Sequence, residues 1–257
     1  MSGRAPVSAV IIGMNCAHLL EPCLQSLRFC DEILLVDSGS TDHSVQVAER
    51  HGARVLHQDW LGFGPQKQFA VAAARHDWVL CVDSDERVTQ ELAGAITAAL
   101  AAPAAGAYRF ARTNRFMGRY LRHGEGYPDW SLRLFDRRQA RWSDDAVHEK
   151  VLYPGEPATL PGDLLHDTED TLESYIAKQN RYTTLAARQA VAAGKRAGAL
   201  RLVASPLLRF VKFYFVRRGF LDGLPGLVHI SIGCFNSFLK YAKIQAFRRE
   251  SAPRDGS

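Results

Sequence analysis

The sequence holds few cysteines and has no long uninterrupted apolar run. Its five cysteines are an odd number without a Cys-x-x-Cys pair, which argues against a disulfide framework and a zinc ribbon and suits a reducing compartment. No segment reaches the roughly 18–20 unbroken apolar residues of a membrane-spanning helix. The apolar run near the N-terminus is too short for the core of a signal peptide and suits a first strand. We therefore expect a cytoplasmic location without a membrane span.

Excess positive charge is also scarce over most of the chain. The 32 Lys and Arg residues exceed the 27 Asp and Glu residues by only five. Residues 200–257 carry a net charge of +7, which leaves the first 199 residues at −2. This distribution argues against a nucleic-acid partner for the whole protein. It favours an anionic membrane surface as the partner of the C-terminal region.

Strand and helix signals alternate over the first hundred residues. The segments Val7–Ile12, Glu32–Val36, Arg54–His57 and Trp78–Val82 are predicted as strands, and helical segments separate them. This alternation predicts an α/β domain with a mostly parallel sheet. The last of these segments is continuously apolar, which is typical of a central strand buried on both faces.

The remainder of the chain is less regular. Strand-like segments occur at Ala107–Ala111 and Leu132–Phe135, and a helical pattern extends from Leu172 to about Ala193. After it, Pro206 and several glycines predict a series of short helices. The segment LLRFVKFYFVRR at 207–218 has a basic side and an aromatic remainder, which is typical of a helix that lies on a membrane surface.

Acidic side chains follow two of the predicted strands. Asp37 ends the second strand, and Asp83-Ser84-Asp85-Glu86 follows the apolar one. In open parallel sheets, ligands bind at the carboxyl ends of the strands. Carboxylates with one residue between them offer oxygen ligands to Mg²⁺ or Mn²⁺ and leave positions open for phosphate oxygens. Helix capping explains one Asp at a time, but not a buried strand that is followed by three acids.

Three segments of the sequence, which include the predicted strands and the acids that follow them, resemble segments of the family 2 inverting glycosyltransferases, which have a GT-A fold. They are VSAVIIGMN at 7–15, ILLVDSGSTD at 33–42 and WVLCVDSDE at 78–86. The resemblance extends to the lipopolysaccharide core β-glucosyltransferase branch in four further segments, namely 60–70, 127–135, 143–149 and 218–223. It covers about residues 7–243. The sequence departs from the family at Asn15-Cys16-Ala17, where Asn-Glu-Glu is common, and at Gln68, where Asn is frequent.

The resemblance implies a GT-A nucleotide-sugar-binding domain with a mostly parallel central sheet, followed by C-terminal amphipathic helices. It implies a catalytic domain at 1–170, with a nucleotide-binding half at about 1–105 and an acceptor half at about 106–170. Residues 171–250 would form a helical region that associates with the membrane. It also implies Mg²⁺ or Mn²⁺ as the cofactor.

The resemblance further implies roles for single residues. Those expected to bind the nucleotide sugar are Asp37, Lys67, Asp83 and Ser84. Those expected to bind the metal are Asp85, His148 and His166. The candidates for the base that accepts the proton of the acceptor hydroxyl are, in order of preference, Glu149, Asp145 and Asp129.

The implied reaction is transfer of a hexose, glucose from UDP-glucose, to a lipid-linked lipopolysaccharide core acceptor at the inner membrane. Three alternatives stay open, namely a polyprenyl-phosphate glycosyltransferase, a sugar nucleotidyltransferase and a non-catalytic membrane adaptor. A nucleotidyltransferase normally has a Gly-rich basic loop after its first strand, whereas Gly13-Met14-Asn15-Cys16 has one glycine and no Lys or Arg. An adaptor would tolerate loss of Asp83, Asp85 and Glu149, and all three are present.

Overall fold

The structure is a computed structural model that describes residues 3–145, 149–167, 171–195 and 198–250. Its contacts divide the chain into two units. The first comprises Met1–Thr113 and Asp129–Asp167, and the second comprises Asn114–Pro128 and Thr168–Ser257. The insertion Asn114–Pro128 thus groups with the C-terminal helices, although it lies within the half that is expected to bind the acceptor.

The first unit begins with alternating strands and helices. In chain order these are β1 (Val7–Gly13), α1 (Ala17–Ser26), β2 (Glu32–Asp37), α2 (Ser44–Arg50), β3 (Arg54–His57), α3 (Phe63–Ala73) and β4 (Trp78–Asp83). The strands are parallel and lie in the order β3-β2-β1-β4. Because a helix carries the chain back between successive strands, their carboxyl ends meet at one edge of the sheet. The predicted parallel sheet is confirmed.

The chain then extends this sheet with antiparallel strands. The elements are β5 (Glu86–Val88), α4 (Gln90–Ala101), β6 (Ala107–Phe116), β7 (Arg119–Tyr120), β8 (Asp129–Asp136), β9 (Arg141–Trp142), β10 (Val151–Leu152) and β11 (Ala158–His166). The sheet continues from β4 in the order β8-β6-β11-β5, while β9 pairs with β10 in a separate ribbon. Strand β11 was not predicted from the sequence, because Pro161 and Gly162 interrupt its pattern.

Helices cover both faces of the sheet in the first unit. In β4, Leu80 and Val82 belong to a core cluster with side chains of α1, α2 and α4. Val79 and Cys81, which alternate with them, belong to a second cluster with side chains of α3. Strand β4 is therefore buried on both faces, as its continuous apolar sequence predicts.

The second unit is mainly helical. Its elements are α5 (Leu172–Ala192), α6 (Ala199–Phe210), a π-helical turn (Val211–Val216), a 3-10 turn (Gly219–Asp222) and α7 (Gly223–Glu250). The expected series of short helices is wrong for the last element, since α7 continues for 28 residues. Gly223, Pro225 and Gly226 fall in its first turn, where a missing N–H is tolerated. Among the described helices, none is both long and apolar enough to cross a bilayer.

Asp222 fastens the insertion to the helices of the second unit. Its side chain is buried, and its Oδ2 accepts hydrogen bonds from the backbone N–H groups of Arg122 at 3.0 Å and His123 at 2.8 Å. A buried carboxylate is stabilised when N–H groups donate to it. This contact explains why residues 114–128 group with helices that lie far away in the sequence.

The close packing around Gly162 predicts that the folded protein is destabilised when this glycine is substituted. Its φ is +90°, and an added Cβ would lie 2.4 Å from the backbone N of Leu92 at the start of α4. We expect Gly162→Ala to lower the free energy of unfolding by about 1–3 kcal/mol, as measured by urea denaturation. Gly94→Ala is the control, because Gly94 lies within α4 with open space around it and should gain about 0.5–1 kcal/mol. Equal stabilities would contradict this packing.

Candidate active site

A cleft of about 380 Å³ lies at the carboxyl ends of β1, β2 and β4. Its lining residues are Ile12, Gly13, Met14, Ser38, Trp60, Phe63, Lys67, Asp83, Ser84, Asp85, Glu149 and His166. The volume falls within the range of about 300–1,000 Å³ that is usual for small-molecule sites. A groove of about 800 Å³ between α5 and α7 is larger, but its lining is chiefly apolar. The charged residues of the smaller cleft make it the candidate active site.

Lys67 joins two carboxylates that are far apart in the sequence. Its Nζ lies 3.1 Å from Oδ1 of Asp83 and 2.9 Å from Oε1 of Glu149. The Lys67 side chain is only 7% exposed, and its Nζ stands 4.8 Å from the centre of the Trp142 ring. A buried ammonium group needs such partners to offset its loss of hydration. This contact brings Glu149 to Asp83 at the carboxyl end of β4.

Arg133 compensates the negative charges of Asp83 and Glu86. Its Nη2 lies 2.9 Å from Oδ2 of Asp83 and 3.4 Å from Oε1 of Glu86, which is fully buried. Burial alone would raise the pKa of Asp83, but Arg133 and Lys67 outweigh it and hold that pKa well below its ordinary value. At Glu86, burial dominates and raises the pKa. Neither Arg133 nor Glu86 was among the predicted site residues, although Glu86 directly follows the Asp-Ser-Asp motif.

Asp85 and His166 lie side by side in the cleft. The Nε2 of His166 is 3.1 Å from Oδ2 of Asp85, and its Nδ1 is 3.2 Å from Nη2 of Arg112. Strand β11 brings the histidine here by pairing with β5, opposite Glu86. A carboxylate oxygen beside an imidazole nitrogen fits a divalent cation such as Mn²⁺, and the carboxylate also suits Mg²⁺.

Asp85 and His166 are the two described side chains that could hold a metal ion at this position. Within the part of the chain that the structure describes, no group of three or more His, Cys, Asp or Glu side chains is arranged to hold a metal ion. Mg²⁺ often keeps its waters and binds through one or two carboxylates together with substrate phosphates. The pair of Asp85 and His166 fits that mode. The third predicted ligand, His148, lies outside the described residues.

The loops after β2 and β3 are fastened to α3. Asp37 is buried, and its carboxylate accepts hydrogen bonds from the N–H groups of Gly39 and Ser40 and from the Ser40 hydroxyl. Its neighbour Ser38 lines the cleft, and the Ser38 hydroxyl accepts a 3.0 Å hydrogen bond from Nε2 of Gln66. Gln66 is fully buried in α3. Gln66 was not among the predicted site residues, because a single glutamine in a helical segment does not indicate a functional site.

The three predicted bases lie in different surroundings. Glu149 lines the cleft and contacts Lys67. Asp145 is exposed, and its backbone carbonyl accepts a 3.3 Å hydrogen bond from the N–H of Gly64. The side chain of Asp129 is 49% exposed and lies 3.7 Å from Nε of Arg112. Of the three, Glu149 alone is among the residues that line the cleft.

Comparison with known sequences decides the family. Residues 8–151, more than half of the chain, match the family described as Glycosyl transferase family 2. The chain belongs to glycosyl transferase family 2. This assignment confirms the resemblance of the three strand-end motifs and sets aside the nucleotidyltransferase alternative.

Relatives of this glycosyltransferase align along nearly its whole length. A lipopolysaccharide core biosynthesis glycosyltransferase, LpsC, of Rhizobium meliloti (strain 1021) is 32% identical over 252 residues, which cover 95% of this chain and 93% of the relative. An uncharacterized glycosyltransferase of Rickettsia bellii (strain RML369-C) is 29% identical over 96% of this chain and 88% of the relative.

A solved structure shares the fold of this glycosyltransferase. It is the mannosyltransferase PcManGT of Pyrobaculum calidifontis in complex with GDP-Man and Mn²⁺, with a TM-score of 0.52. The match covers 98% of this chain and 88% of that chain at 17% identity, which shows a common fold. The prediction of a GT-A fold with a mostly parallel sheet and C-terminal helices is confirmed.

Arg133 tests how far the site depends on charge compensation. Arg133→Met removes the charge-assisted hydrogen bonds to Asp83 and Glu86, while Lys67 still contacts Asp83 and Arg112 still lies 3.7 Å from Glu86. The free energy of unfolding should therefore fall by about 1.5–3 kcal/mol. Urea denaturation measures the change. Arg141→Met is the control, because Arg141 and its partner Asp144 are exposed and their ion pair should contribute about 1 kcal/mol or less. Similar losses in both variants would contradict the proposed compensation.

Proposed function

We propose that this glycosyltransferase moves a hexose, glucose from UDP-glucose, with inversion to a sugar of a lipid-linked lipopolysaccharide core acceptor. The observation that carries the proposal is the contact of Lys67 with both Asp83 and Glu149 in the cleft that Asp85 and His166 also line. A proton acceptor and groups suited to a diphosphate thus share one cleft. The function named for the R. meliloti relative, 32% identical along almost the whole of both chains, supports the acceptor class.

The donor would bind along the strand ends. Asp83 and Ser84 contact the nucleotide sugar, and Lys67 neutralises a phosphate oxygen. Asp37 stays a further candidate for contact with the nucleotide, and its carboxylate also holds the loop after β2 in shape. Asp85 and His166 would hold Mg²⁺ or Mn²⁺, which offsets the charge that develops on the leaving diphosphate. His148 stays a further candidate ligand.

Glu149 would act as the base. Its carboxylate accepts the proton of the acceptor hydroxyl while the hydroxyl oxygen forms a bond to the anomeric carbon. The bond from that carbon to the nucleoside diphosphate breaks on the opposite face, through an oxocarbenium-like state, so the configuration inverts. The proton ends on Glu149 and the electron pair on the diphosphate. Lys67 orients the Glu149 carboxylate.

Glu149→Gln tests this role. The amide keeps the shape of the side chain but accepts no proton, so turnover should fall by roughly 10²- to 10⁴-fold while donor binding persists. Transfer is measured with Mg²⁺ or Mn²⁺ over a panel of nucleotide sugars, with a truncated core lipopolysaccharide and a polyprenyl phosphate as competing acceptors. Asp145→Asn is the control and should cost less. Near-normal transfer by Glu149→Gln would remove Glu149 from the mechanism, and transfer to polyprenyl phosphate alone would overturn the acceptor class.

We also propose that the second unit attaches the enzyme peripherally to the anionic inner membrane. In α6 and the turn after it, Leu200, Val203, Leu207 and Val211 are 50–81% exposed and recur at the spacing of one helix face. This apolar stripe suits the boundary between headgroups and acyl chains. The exposed Arg201 and Lys212 are available to anionic headgroups.

Other basic residues of the tail serve the packing of the second unit. Arg209 pairs with Glu125, and Arg217 donates a hydrogen bond to the carbonyl of Tyr127. Lys243 donates to the side chain of Asn180 at 2.6 Å. Replacing these residues would disturb the fold together with any membrane contact, so the apolar stripe is the better target.

The double variant Val203→Gln, Leu207→Gln should weaken binding to vesicles of phosphatidylglycerol and phosphatidylethanolamine by about tenfold or more, because it removes apolar surface that the bilayer would cover. Flotation assays measure the binding. The matched control is Tyr182→Gln, Leu185→Gln on α5, where the two side chains are 50% and 55% exposed. Vesicle binding that both variants retain equally would exclude the stripe as the attachment surface.

A further inference from the structure

Two aromatic rings in the cleft have no part in the proposed chemistry. Trp60 and Phe63 both line the cleft, and they are 50% and 46% exposed. Their ring centres lie 4.8 Å apart with planes at 87°, an edge-to-face contact. In this geometry the edge of one ring meets the face of the other, so flat surface remains for a third ring. Large apolar rings left open in a polar cleft suggest that a ligand covers them.

The loop that carries Trp60 is held firmly in place. The buried Gln66 accepts a 3.2 Å hydrogen bond from the N–H of Leu61 and donates one of 3.1 Å to the carbonyl of Gln58. Gly62 has φ +99°, a backbone conformation that residues other than glycine rarely adopt. Helix α3 begins at the next residue, Phe63. The backbone that carries the two rings is therefore fixed before a ligand binds, which reduces the entropy lost on binding.

The lining of the cleft is charged at one end and aromatic at the other. Phe63 and Lys67 lie one helical turn apart and share a face of α3. Around Lys67 the lining is charged, with Asp83 and Glu149 in contact with its ammonium group. Trp60 follows β3, which lies at the far edge of the parallel strands from β4. A matching ligand is charged at one end and flat at the other, as a nucleoside diphosphate is.

We infer that Trp60 and Phe63 form the stacking site for the nucleobase of the donor. The inference rests on the proposed function, because it takes the diphosphate to lie near Lys67 and Asp85. Stacking on an aromatic ring tolerates every base, since each base has a π face. The pair therefore supplies affinity for nucleotides in general, and other groups in the cleft select the base.

Trp60→Ala tests the inference through binding alone. UDP, GDP, ADP, CDP and inorganic pyrophosphate are titrated at fixed Mg²⁺, by calorimetry and by tryptophan fluorescence. We expect Trp60→Ala to weaken binding of the preferred nucleoside diphosphate by about 5- to 150-fold and to leave pyrophosphate affinity unchanged. Trp60→Phe should recover most of the loss. Trp130→Phe, which changes a tryptophan that is 49% exposed and is not among the cleft-lining residues, should keep the fluorescence response to nucleotide.

Each outcome bears on a different claim. If the wild-type protein binds a nucleoside diphosphate and Trp60→Ala binds it equally well, the stacking site is wrong and the proposed function survives. If Trp60→Ala loses affinity for pyrophosphate as much as for the nucleotide, the residue has a general structural role and the inference fails. If the wild-type protein binds none of the nucleotides, the proposed function and the inference both fail.

Discussion

The ion pairs of Lys67 are the interaction on which the candidate site depends. One ammonium group, almost inaccessible to water, holds the carboxylates of Asp83, at the end of β4, and Glu149. Unpaired, each of these groups would bear a large desolvation cost. Paired, they bring a residue that lies 82 positions further along the chain to the strand ends. The proposed base therefore reaches the proposed donor site through charge compensation.

Helix α3 extends this constraint to the surrounding loops. The N–H of Gly64 donates to the carbonyl of Asp145, and an added Cβ at Gly64 would lie 2.2 Å from the carbonyl oxygen of Ser143. Oε1 of Gln68 accepts a 2.9 Å hydrogen bond from the N–H of Trp142. Gln68 is one of the departures from the family pattern, and here it contacts the β9 backbone. Short polar contacts from successive turns of one helix thus fasten residues 142–145 and Glu149 beside the cleft.

The second departure has a similar structural role. The side-chain oxygen of Asn15 accepts a 2.8 Å hydrogen bond from the N–H of Thr41, and the N–H of Ala17 donates to Asp42. Cys16 is buried, which raises the pKa of its thiol and keeps it neutral at physiological pH. The loops after β1 and β2 are thus joined to each other. The acids that the family usually carries at 16 and 17 are not needed for this contact.

The sequence by itself determined the parallel strands and the acids at their ends. Apolar periodicity is a local property, so β1 to β4 and the positions of Asp37, Asp83 and Asp85 follow from short stretches of chain. The family motifs added Lys67, Glu149 and His166 as single candidates. Tertiary structure alone decided that Lys67 pairs with Glu149, that Arg133 and Glu86 belong to the site, and that residues 114–128 join the C-terminal helices. These facts depend on which buried charges find partners across long stretches of sequence, and no local pattern records such pairings.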